Sequence, residues 1–66
     1  MVKKMSKNAN KIYKAIVKAF EAGGEPSGRA MYDTYFWQTG DIFTKYKASV
    51  DAELIRNGYG GCIVYH

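Results

Sequence analysis

The strongest constraint on this chain is the spacing of five apolar residues near its start, Ile12, Tyr13, Ile16, Val17 and Phe20, with Gly23-Gly24 close behind them. They fall at i, i+1, i+4, i+5 and i+8, which places them on one face of a helix over about 8–22. Asn8 or Asn10 can accept from the first free backbone amides, and the glycine pair can supply the left-handed residue that ends a helix. At about 100° per residue, Lys7, Lys11, Lys14 and Lys18 gather on the side opposite Ile16 and Phe20. The first element is thus apolar inside and basic outside.

The stretch 23–28, with Pro26 inside it, reads as a loop, because proline lacks an amide donor and the glycines favour turn geometry. Beyond it, alternation of Ala30, Tyr32, Thr34 and Phe36 predicts a strand over about 30–38. Met31, Tyr32, Tyr35 and Phe36 also satisfy helical spacing, and periodicity does not decide over so short a segment. Thr39 or Asp41 can cap a second helix over about 41–57, in which Ile42, Phe43, Tyr46, Val50 and Leu54 share a face and Gly58 is the stop. A weaker strip of Ala48, Ala52 and Ile55 would face another neighbour, such as a second copy of the chain. The segment 62–65, Cys-Ile-Val-Tyr, reads as a second strand. The expectation is an α+β domain over 1–66: two helices packed on a short two-stranded sheet, with 1–7 a flexible basic extension. Two strands alone are marginal in water, so dimerisation through a strand edge would complete the sheet.

With 66 residues there is room for one domain. Apolar residues at 47% and aromatics at 15% are enough for a core and argue against disorder. Residues 1–7 carry the charge of a signal n-region, but Lys11, Lys14 and Lys18 interrupt the apolar residues after it, so no h-region forms. No apolar run approaches the roughly 20 residues of a membrane span. One cysteine, Cys62, permits no disulfide within the chain and no cysteine-based zinc cluster, which points to a reducing, cytoplasmic setting.

Conventional catalytic constellations each lack a member. Cys62 and His66 stand four apart, roughly 13 Å in a strand, too far for a thiolate–imidazole pair. Cys62 is expected to be buried and inert. The carboxylates show no spacing that specifies an acid–base pair or a metal loop. Asp41 can pair with Lys45 along a helix, and Asp33, among aromatics, would need a donor if buried, which a tyrosine hydroxyl or Arg29 could supply, and is otherwise exposed or part of an interface. Gly23 to Arg29 has the glycine spacing of a phosphate-binding loop, but Arg29 and Ala30 stand where lysine and Ser/Thr are needed. No enzyme activity, metal or cofactor is expected.

Gly58-Tyr59-Gly60 with Cys62-Ile63-Val64-Tyr65 resembles part of the RNP1 strand of RNA-recognition motifs, with Gly61 inserted and Cys62 where an aromatic belongs. Residues 41–65 resemble the back half of a winged helix-turn-helix: a helix carrying Ser49, Val50 and Leu54, the turn Asn57-Gly58-Tyr59, then a β wing. Asp51 and Glu53 sit where a DNA-facing helix should be basic. The formal charge of +4 favours encounter with nucleic acid, an anionic membrane or an acidic protein face. The aromatic cluster around Tyr32 to Trp37 is too large to be wholly interior, and Tyr, Trp and Arg are the residue types that anchor interfaces. The leading expectation is therefore a small binding protein that regulates or inhibits a larger protein or complex, with Arg29, Tyr35 and Trp37 as anchors. A small aromatic domain of this kind also fits a phage or mobile-element accessory protein. The alternative is nucleic-acid binding, through Lys7, Lys11, Lys14 and Lys18 or through the winged-helix segment.

Overall fold

The computed structural model describes residues 5–39 and 42–65. Its elements are α1 (Lys7–Asp33), a π-helical turn (Thr34–Gln38), a 3-10 turn (Thr44–Tyr46), α2 (Lys47–Arg56) and a second 3-10 turn (Gly60–Cys62). Among the described residues there is no strand, so the chain is a small helical domain and not the α+β fold with a two-stranded sheet expected above. The strand edge through which a second copy was to complete that sheet is absent with it.

The first arm of α1 follows the apolar spacing: Ile12 and Ile16 are buried, and Tyr13, Val17 and Phe20 pack half-exposed against them. Ser6, rather than Asn8 or Asn10, caps it, its Oγ accepting from the Ala9 N–H at 3.2 Å. Of the expected basic extension, residues 1–4 lie outside the described residues. The expected loop over 23–28 is only a one-residue break. Gly24 takes φ 79°, ψ −168°, a conformation open essentially to glycine alone, and the helix resumes immediately after it. Pro26 then sits in the first turn of the second arm, where a backbone amide needs no intrahelical partner.

That early restart corrects the strand over 30–38. A helix already nucleated adds residues at little further cost. Of the two periodicities in the segment, the helical one wins: Tyr32 and Phe36, four apart, are fully buried, whereas Ala30 and Thr34 of the alternating set are exposed. The second expected strand, 62–65, consequently has no strand to pair with. Gly60–Cys62 closes as a 3-10 turn, with the Ile63 N–H bonded to the Gly60 carbonyl at 3.1 Å. The carbonyls of Gly61 and Val64 accept from side chains instead: Arg29 Nε at 2.9 Å and Trp37 Nε1 at 3.0 Å.

The second helix is shorter than the expected 41–57. Asp41, offered as its cap and as a partner for Lys45, lies outside the described residues, and Thr39 donates to the Tyr35 carbonyl at 2.8 Å instead. Val50 and Leu54 are its buried residues, while Ile42 and Ile55 are 68% and 60% exposed. Gly58, at φ 85°, ends the helix as expected. The Tyr59 N–H reaches the Leu54 carbonyl at 2.7 Å and the Gly58 N–H that of Ile55 at 3.2 Å, the paired bonds of a Schellman stop. Together the core draws Ala9, Ile12 and Ile16 from the first arm, Tyr32 from the second, Phe36 from the π-helical turn, Val50 and Leu54 from α2, and Cys62 and Ile63 from the tail.

Candidate functional site

Successive lysines on the first arm of α1 differ by four, three and four residues. On a helix this confines Lys7, Lys11, Lys14 and Lys18 to an arc of about 60° and strings them over about 16 Å. All four side chains are exposed. The ion pairs among the described residues join Lys47 to Asp51 at 2.8 Å and Arg56 to Glu53 at 2.6 Å, leaving these four without a described carboxylate partner. The stripe stops toward the kink at Glu21, the first acidic residue of the arm.

Lys7, Lys11 and Lys14, with Asn8 and Asn10 between them, line a shallow depression of about 380 Å³. It shares Asn8 and Lys11 with a narrower cleft of about 160 Å³, completed by Ile12, Tyr35 and Phe43. The Tyr35 and Phe43 rings meet edge to face at 5.3 Å and 77°, fixing one wall of this cleft. Asn8 Nδ2 donates to the Tyr46 hydroxyl at 2.9 Å, tying the start of α1 to the turn that precedes α2. That hydrogen bond, assisted by the Lys45 ammonium 5.2 Å from the Tyr46 ring, holds the Tyr46 hydroxyl below the usual tyrosine range.

The three expected interface anchors do not form one patch with this cleft. Tyr35 lines it, but Arg29 and Trp37 both hold the tail through their hydrogen bonds to Gly61 and Val64. Trp37 remains 38% exposed. Its ring also forms one side of a box around the Lys47 ammonium, 5.8 Å from the Trp37 centroid and 5.9 Å from those of Tyr32 and Tyr65. Asp51 closes the box, accepting from Lys47 and, at 2.5 Å, from the buried Tyr32 hydroxyl. Burial, and after it this bond to Asp51, pushes the Tyr32 hydroxyl well above the usual tyrosine range.

The chain matches no family model, curated protein or solved structure.

The remaining chemistry-bearing groups are internal. Cys62 is fully buried, and burial first, then the negative charge of Glu25, raises its thiol above the ordinary value. Asp33 accepts from Gln38 Nε2 at 2.6 Å. Among the described residues no group of three or more His, Cys, Asp or Glu could hold a metal, and no helix is long and apolar enough to cross a membrane. The β wing required by the winged-helix resemblance and the strand required by the RNP1 resemblance are both missing from the described residues.

Sequence reasoning found the lysines and Tyr35 but missed Asn8 and Phe43 as their neighbours. Asn8 lies between Lys7 and Lys11 in the sequence, which is a usable signal. Phe43 reaches the cleft only through tertiary structure.

Proposed function

We propose that this chain is a non-enzymatic binding protein that engages a larger macromolecule, and regulates or blocks it, through the basic stripe of α1 and the aromatic cleft beside it. The observation that carries this reading is the continuity of the two: Lys11 and Asn8 line both the lysine-bordered depression and the Tyr35–Phe43 cleft. A row of ammonium groups without described carboxylate partners attracts a polyanionic surface, and the apolar recess next to it supplies a contact that plain charge attraction lacks. Arg29 and Trp37 support this surface indirectly, by keeping the tail folded against the second arm of α1.

The test is affinity capture from cell lysate on immobilised wild type and on the Lys11→Glu, Lys14→Glu, Lys18→Glu triple variant, after circular dichroism has shown equal helicity. Loss of the captured components in the variant is the expected result. The same components at the same yield would dismiss this face as the working surface.

A further inference from the structure

We propose that the ligand of this surface is single-stranded nucleic acid, its phosphates on Lys7, Lys11, Lys14 and Lys18 and one unstacked base in the cleft of Asn8, Tyr35 and Phe43. This assignment rests on the binding reading above and names the partner's chemistry. Three observations select it.

The first is the kind of cation. The stripe is built from lysine with no arginine. Protein interfaces are depleted in lysine and enriched in arginine, whereas lysine serves phosphate well as a point charge. The second is the linear arrangement. The lysines step along the helix by about 4.5–6 Å, so a single extended polyanion can lie along the arm and meet them in turn. From Met5 to Phe20 the described chain contains no acidic residue to interrupt that path. The third is the cleft. At about 160 Å³, with the aromatic side chains of Tyr35 and Phe43 and the polar residues Asn8 and Lys11 in its lining, it has room for one planar ring and polar groups for its edge. Bases are available for such insertion in single strands, where they can be splayed out and stacked on aromatic side chains. In a duplex they stay in the stack.

The experiment measures fluorescence anisotropy of the full chain with four labelled probes: an oligothymidylate and an oligouridylate of about 15 nucleotides, a DNA duplex of the same length, and a polyglutamate peptide of similar length. Oligothymidylate or oligouridylate should bind more tightly than duplex and peptide. Up to four phosphate contacts at about −0.7 each give a log–log salt slope near −3, or about a 50-fold loss of affinity between about 50 and 200 mM salt. Lys11→Gln, a neutral change at an exposed helical position, should reduce the slope to about −2. Tyr35→Leu, which keeps an apolar side chain but removes the ring, should weaken binding by about 5- to 150-fold with little change in slope. Because Tyr35 also packs on Phe43, Lys11→Gln remains decisive if Tyr35→Leu unfolds.

Preference for the duplex, or affinity unmoved by Lys11→Gln, overturns the assignment. Preference for polyglutamate also overturns it and makes the partner an acidic protein segment, with the binding reading intact. If no probe binds, the nucleic-acid assignment falls, and the broader reading falls with it only when lysate capture is also independent of the lysines.

Discussion

Adding one methyl group at Gly28 tests how the tail is seated against α1. An ideal Cβ there would lie 2.5 Å from Cys62 Sγ and 3.2 Å from Phe20 Cβ, so at this position both arms and the tail are in close contact. Gly28 has no positive φ, so alanine suits its backbone and should gain about 1 kcal/mol from helix propensity. Opposing that gain, forcing a methyl into a filled space costs about 1–3 kcal/mol. Gly28→Ala should therefore destabilise the wild type by up to about 2 kcal/mol, or shift the midpoint by roughly 4–8 °C for each kcal/mol. Cys62→Ala removes the sulfur and leaves a hole beside Gly28. In that background the same Gly28→Ala change loses its worst contact, fills part of the hole, and should become neutral or stabilising by up to about 1 kcal/mol. The assay is urea unfolding of all four chains monitored by circular dichroism, with a coupling energy of about 1–3 kcal/mol expected in the direction of rescue. If the two changes add to within about 0.5 kcal/mol, Cys62 does not sit against Gly28 and the seating of the tail is wrong.

Two other substitutions probe separate features. Gly24→Ala should destabilise the chain by about 1–3 kcal/mol, because alanine must enter a backbone region that excludes its Cβ; an unchanged denaturation midpoint would mean that the arms of α1 do not break there. The raised Tyr32 pKa has a defined sign: above about pH 10 the unfolded chain loses this proton while the folded chain keeps it, so the Tyr32 contribution is present below that pH and declines above it, by at most about 1.4 kcal/mol per pH unit. Tyr32→Phe should lower stability at neutral pH by about 1–2 kcal/mol through the lost bond to Asp51 and flatten the alkaline decline, and an equally steep decline in the variant would exclude Tyr32 as its source.

The sequence revealed elements where short-range information suffices and failed where a distant contact decided. The first arm of α1 was legible because its five apolar residues satisfy only one periodicity, and Gly58 was legible because a left-handed glycine after an apolar helical face has few other uses. The segment 30–38 satisfied two periodicities at once. What decided between them was the brevity of the break at Gly24, which lets the helix restart early and reach Tyr32 already formed.

Gly23-Gly24 and Pro26 spell a turn in composition, but Pro26 is also tolerated in a first helical turn, and only Gly24 takes a left-handed φ within the break. The same early restart explains the tail. Its apolar side chains Cys62 and Ile63 are both buried, and its backbone finds Arg29 and Trp37 in place of a second strand. Two of the three residues chosen from the sequence as interface anchors, Arg29 and Trp37, are therefore the ones that hold the tail. An arginine and a tryptophan each combine a polar donor with a large apolar body, which suits them equally to an external partner and to a carbonyl of their own chain. Composition cannot separate those uses. The lysines differ in this respect: a helix face carrying four of them at one azimuth, opposite a buried stripe, has no internal surface within reach, and their exposure results from the same spacing that buries Ile12 and Ile16. That is why the basic half of the candidate site could be read from the sequence, while the Phe43 wall of its cleft required the fold.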